Sequence, residues 1–193
     1  ALRVLDRAAL LLARTADGAE VRRYDLGAEP PAEGPLGPLF SQPLPPHAAA
    51  AFAGSEVVLL GAESLSMGDP AGGTPRPLGP GGDGALRTCG PFIVRVLGGS
   101  LTVVEPIEGD AVATASLAGG EVALDTSDAR GDGIRLVCDG QRLVILRLGP
   151  DGELGSARCT RPLGCPASFA RIASDVTSFD AVMEEGVTFV AWS

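Results

Sequence analysis

Leu143-Val144-Ile145-Leu146-Arg147-Leu148 follows Ile134-Arg135-Leu136-Val137-Cys138-Asp139-Gly140 and precedes Gly149-Pro150-Asp151-Gly152 and Glu153-Leu154; its reading decides the fold. The run is apolar at nearly every position, too short for a helix, and closed at both ends by turn residues. That is the pattern of a strand packed on both faces, reached by a hairpin and left by a second turn. The same element recurs as Ala8-Ala9-Leu10-Leu11-Leu12-Ala13, Val57-Val58-Leu59-Leu60, Phe92-Ile93-Val94-Arg95-Val96-Leu97 and Val187-Thr188-Phe189-Val190-Ala191-Trp192. A short strand ending in a turn precedes each, as in Leu86-Arg87-Thr88-Cys89-Gly90 and Phe179-Asp180-Ala181-Val182-Met183-Glu184-Glu185-Gly186. Polar strands follow the earlier runs, such as Glu20-Val21-Arg22-Arg23-Tyr24 and Leu101-Thr102-Val103-Val104. Measured from Ala8, Ser55, Phe92, Gln141 and Val187, the intervals are 47, 37, 49 and 46 residues.

A period near 45 with several strands per unit predicts an all-β chain of four-stranded antiparallel repeats. The expected units are 2–46, 47–83, 84–132 and 133–177, with a partial unit over 178–193. Weaker fourth strands are expected around residues 39–44, 74–78, 111–117 and 169–173, two of them with proline, which fits an edge. No window of helical periodicity escapes Gly or Pro, apart from the alanines after His47.

On these residues the chain resembles the β-propeller superfamily, nearest in character to loosely repeated secreted propellers of the sialidase-repeat kind. The passage from Asp180-Ala181-Val182 through Glu185-Gly186 to Trp192-Ser193 looks like the inner strand, turn and second strand of such a blade. It lacks the Gly-His and Trp-Asp pair of WD40 repeats and the Asp-box of sialidases, and a superfold does not imply a function. The resemblance implies about four blades and part of a fifth; the alternative is a β-sandwich. The chain starts at Ala1 with no signal-peptide pattern and stops at Ser193 after a second strand, so the expectation is a processed chain or one fragment of a larger propeller.

Of 193 residues, 45 % are apolar, enough for a core. All 15 cations are arginine, with no lysine or asparagine, a bias that suggests a GC-rich, bacterial genome. The net charge of −9 leaves no basic stripe for nucleic acid or anionic lipid. No apolar run approaches the roughly 20 residues of a membrane-spanning helix.

Four cysteines among 27 glycines and 16 prolines fit an oxidising compartment, hence an extracellular, periplasmic or outer-surface location; buried cytosolic thiols are the other reading. Cys159 and Cys165, around Pro162 and Gly164, read as a loop-closing disulfide or as two unpaired thiols in a loop. Cys89 and Cys138 end the first strands of successive units, so they read either as a bridge between units or as a small, inert buried pair. With no Cys-x-x-Cys and His47 as the single histidine, no metal site or cofactor is expected.

Asp125, Asp128 and Asp132, with Arg130, form an acidic loop between units. It reads as a ligand-binding loop for a cation or as solvated turn acids. Catalytic signals are absent: His47 has no partner at motif spacing, Gly-x-Ser-x-Gly does not occur, and Glu184 and Glu185 point to opposite faces of a strand. The expected function is a noncatalytic, exported propeller scaffold binding a protein partner, or completed by the rest of the same propeller. The alternative is a glycan-active enzyme with carboxylates at the central opening, against which one Trp and one Tyr supply little sugar stacking.

Overall fold

The computed structural model describes residues 2–5, 8–15, 18–25, 32–34, 49–54, 56–69, 74–82, 84–97, 100–107, 111–118 and 133–193. All regular structure among them is β. Contacts divide the chain into two compact units, 1–86 and 87–193.

The first unit holds two four-stranded antiparallel sheets. In one, β1 (Leu2–Leu5), β2 (Ala8–Thr15), β3 (Gly18–Asp25) and β4 (Ala32–Gly34) lie in sequence order. In the other, β5 (Ala49–Ala53), β6 (Glu56–Leu60), β7 (Ser64–Gly68) and β8 (Arg76–Pro80) do the same. Val57, Val58, Leu59 and Leu60 are all buried, as a β-branched and leucine run enclosed on both faces must be. Residues 39–44, where the sequence predicts a fourth strand, lie outside the described residues; Ala32–Gly34 pairs with β3 in that role.

The second unit repeats the pattern twice. β9 (Ala85–Cys89), β10 (Phe92–Leu97), β11 (Ser100–Pro106) and β12 (Val112–Leu117) make the third sheet, whose first residues precede the unit boundary. β13 (Ile134–Cys138), β14 (Arg142–Leu148), β15 (Leu154–Thr160) and β16 (Ala170–Ala173) make the fourth. Phe92, Ile93 and Val94 of β10, and Leu143, Ile145 and Leu146 of β14, are wholly buried. In each sheet every neighbour is a sequence neighbour, so each is a meander.

These two sheets are tied together across their width. Cys89 and Cys138 link first strands at disulfide distance, S–S 2.16 Å. Glu105 at the end of β11 pairs with Arg161 just beyond β15. Ala118 N–H, after β12, donates to the Ala167 carbonyl ahead of β16 at 2.9 Å.

β17 (Phe179–Glu184) and β18 (Val187–Trp192) form a two-stranded sheet in full antiparallel register, Val182 opposite Phe189. Both turn residues have positive φ, Glu185 at 47° and Gly186 at 77°, as a two-residue type I′ hairpin demands. β18 has the composition of a doubly covered strand, yet Val187, Phe189 and Trp192 keep half or more of their surface exposed.

Candidate functional site

Three first-to-second-strand hairpins of the second unit line up in chain order. The Gly90 turn abuts the next: a Cβ there would stand 3.4 Å from Cys138 Sγ. The Glu185-Gly186 turn abuts the one between: a Cβ on Gly186 would meet the tip of the Arg142 side chain, and it is the positive φ that favours glycine there. Asp139 shapes the middle turn, its carboxylate accepting from the amides of Gln141 and Arg142 at 3.1 and 2.9 Å and from Arg142 Nε at 2.9 Å. The Arg142 bond, followed by the two amides, holds the Asp139 carboxyl below the usual carboxylate range.

Charge runs along the same strands. Arg87 on β9 is half-buried, and burial together with the Arg135 guanidinium on β13 lowers its proton affinity. Arg135 meets Asp180 of β17 at 3.3 Å, both largely exposed. First strands thus carry Arg87, Arg135 and Asp180 in order, a charged ribbon across the row.

Two buried polar groups escaped the sequence reading. Glu105 is 2 % exposed; one carboxylate oxygen accepts from Arg161 Nε, and Oε2 has no hydrogen-bond partner among the described residues. Arg161 is held in place by its own loop: its N–H donates to the Gln141 carbonyl at 2.8 Å, and Thr160 and Gly164 exchange backbone bonds of 3.0 and 3.2 Å. Cys159 and Cys165, at disulfide distance, close that loop.

Arg147 on β14 is 8 % exposed, with no carboxylate in ion-pair reach among the described residues and its Nε unbonded. Its guanidinium lies 5.2 Å from the Phe169 ring centroid, a cation–π contact in a desolvated setting. Gly155, opposite Arg147 in the register, makes the room, since a Cβ there would press on Phe169 Cβ at 3.1 Å. An acid ending an apolar run (Val103-Val104-Glu105) and an arginine inside one (Ile145-Leu146-Arg147) were the sequence signals for these groups.

Asp125, Asp128, Arg130 and Asp132 lie outside the described residues, as does His47. Glu184 and Glu185 are exposed at the tip of the last hairpin. Among the described residues no three His, Cys, Asp or Glu side chains are grouped closely enough to hold a metal ion. No helix there is long and apolar enough to cross a membrane. The two cysteine pairs at disulfide distance point to an oxidising environment.

No protein-family model matches the chain, and no curated protein does. Among solved structures, it is similar to a chain of a Saccharomyces cerevisiae assembly in which a dbp5 variant is bound to nup159, a gle1 variant, ip6 and adp. The TM-score is 0.51 at 11 % identity, over 100 % of this chain and 56 % of that one. The likeness is one of fold, and the chain spans about half the length of its neighbour.

Proposed function

We propose that the chain is a noncatalytic binding scaffold of the β-propeller kind, exported to an oxidising compartment, in which each four-stranded sheet is a blade and a protein partner or the rest of the same propeller completes the array. The observation that carries the reading is the row of first strands. β9, β13 and β17 succeed one another through Cys89–Cys138 and Arg135–Asp180, with their hairpin turns at one end. Sheets fanned about a common axis place first strands side by side in this way, whereas two stacked sheets of a sandwich do not. The similarity to a solved chain of nearly twice the length supports a partial array.

On this reading the exposed turns, with Arg142, Glu184 and Glu185, and the ribbon of Arg87, Arg135 and Asp180 are the surface offered to a ligand. Two measurements test it. Arg135→Cys with Asp180→Cys is expected to be joined by a short bis-maleimide reagent, because β13 and β17 are neighbours; no cross-link in a folded protein breaks the row. A panel of aryl glycosides and polysaccharides is expected to pass unchanged, while hydrolysis or eliminative cleavage would replace the scaffold with a glycan-active enzyme.

A further inference from the structure

Burial and pairing run in opposite order among the arginines of the second unit. Arg135, Arg142, Arg161 and Arg171 each have a carboxylate partner, although their side chains keep 40 % or more of their surface exposed. Arg147, 8 % exposed, is the most buried of the described arginines there, yet among the described residues no carboxylate pairs with it and its Nε is unbonded. A cation taken out of water is ordinarily held by an opposite charge, because its hydration is lost. The Phe169 ring, 5.2 Å from the guanidinium, supplies a polarised face but no negative charge.

Two positions beside Arg147 are glycines. Gly155 lies opposite it in the β14–β15 register, and a Cβ there would press on Phe169 Cβ at 3.1 Å. Gly149 follows two residues on, and a Cβ there would stand 3.7 Å from Arg147 Nη2 and 2.6 Å from Asp151 Oδ1. Of the guanidinium nitrogens only Nε is sealed from solvent without a partner, so the Nη end is the one a ligand meets. Half-buried Phe169 borders that end on one side, and the turn at Gly149 and exposed Pro150 borders it on the other. Asp151 does not neutralise it: Oδ1 accepts from Glu153 N–H at 3.1 Å, and no ion pair joins that carboxylate to Arg147.

We propose that Arg147 anchors a binding site for a small monocarboxylic acid, received between Phe169 and the Gly149 turn with its carboxylate on the Nη fork. The two Nη donors lie in one plane and match the two carboxylate oxygens, a geometry that an ammonium group could not offer. A single negative charge is what the site accepts, since Asp151 Oδ1 stands beside the same Gly149 as Nη2 and opposes a second one. The small exposed area of Arg147 calls for a carboxylate on a short stem. The site lies within the fourth sheet, apart from the ribbon of Arg87, Arg135 and Asp180, and stands whether or not the sheets are blades of a propeller.

Acetate, titrated into the isotope-labelled full chain in a buffer free of other carboxylates, is expected to shift the Arg147 Nε–H resonance saturably; the signal is identified by its loss in Arg147→Lys. Methyl acetate, which lacks the charge, is expected to leave it unmoved. Phosphate is expected to bind about tenfold more weakly than acetate, or about 1.4 kcal/mol. Asp151→Asn is expected to tighten acetate binding about threefold and to narrow the gap to phosphate. Acetate is also expected to raise the melting temperature of the wild type but not that of Arg147→Met, whose apolar side chain fills similar space without a charge. Should Arg147→Met fail to fold, Arg147→Lys keeps the charge and removes the fork, with acetate expected to bind about tenfold more weakly. No saturable shift, an equal response to methyl acetate, phosphate bound as tightly as acetate, or an acetate effect retained by both arginine variants would each overturn the proposal. So would an Nε–H that is protected from exchange in anion-free buffer and indifferent to acetate, because the guanidinium would then be satisfied within the chain.

Discussion

β13 has two neighbours of its own kind, and it is joined to them by opposite means. Toward β9 it is bound covalently through Cys138, with Glu105–Arg161 and the Ala118 bond extending the junction across both sheets. Toward β17 it is joined by the exposed Arg135–Asp180 pair and the seat of Gly186 on Arg142. The difference shows in the second strands: β14 is buried from Leu143 through Arg147, whereas β18 leaves Val187, Phe189 and Trp192 half exposed. Two predominantly apolar runs thus yield a core strand in one place and an edge in the other. Burial here is decided by what lies alongside, not by the run itself.

Cutting the covalent side should have the largest effect. Cys89→Ser with Cys138→Ser opens a link between residues 49 apart and is expected to cost about 4 kcal/mol by the loop-entropy relation. The Cys159–Cys165 link, with a separation of 6, is expected to cost about 2 kcal/mol. Urea unfolding of both double variants measures the ratio, and equal costs would mean that the inter-sheet link is not what holds β13 to β9.

Core truncation comes next. Ile145→Ala in β14 should lose about 2–5 kcal/mol, and Phe189→Ala in β18 less than about 1 kcal/mol, because only the first leaves a cavity. A comparable loss at Phe189 would show that β18 is covered in solution.

Smaller again is the clamp at Glu105. Arg161→Ala strands a buried carboxylate and is expected to cost about 1–3 kcal/mol, toward the lower end because the arginine side chain is 40 % exposed. Glu105→Gln in the same background should recover part of the loss, and a double-mutant cycle on denaturation midpoints reads the coupling.

The smallest effect belongs to the Asp139 turn. Its carboxyl is held below its ordinary value in the folded state, so its contribution is complete above the unfolded value and disappears as the pH falls through the folded one. Wild type and Asp139→Asn should therefore differ in stability near neutrality and converge in acid below the carboxylate range. Convergence on the alkaline side would reverse the sign of the assignment.

Most of the architecture was legible because strands covered on both faces leave an unmistakable mark. Val57-Val58-Leu59-Leu60, Phe92-Ile93-Val94 and Leu143-Val144-Ile145-Leu146 each became a buried second strand, and the turns beside them became hairpins. Fourth strands were harder to place, since an edge strand needs neither alternation nor a continuous apolar run. Three of the expected ones formed, as β8, β12 and β16, whereas the one expected at 39–44 lies outside the described residues and Ala32–Gly34 pairs with β3. The two cysteine pairs were legible as candidates; which reading held for Cys89 and Cys138 depended on how neighbouring first strands sit. Glu105–Arg161 and Arg147–Phe169 could not be read, because their partners lie 56 and 22 residues apart and no periodicity connects a buried acid to its arginine or an arginine to the ring beneath it.

Val176 sits at the root of the last hairpin. It is 4 % exposed, its N–H donates to the Gly152 carbonyl at 3.0 Å, and it is followed at once by Thr177, whose N–H donates to the Ser193 carbonyl at 2.7 Å. The last hairpin therefore hangs from a fixed peg with its open end next to the peg. Tension applied through Ser193 would meet the Thr177 and Ser178 bonds first and peel the ladder toward Glu185 one pair at a time, like a zipper, whereas the same tension on β13 would reach a sulfur–sulfur bond. The last hairpin thus releases bond by bond under load, whereas the junction of β9 with β13 is held by a covalent rivet.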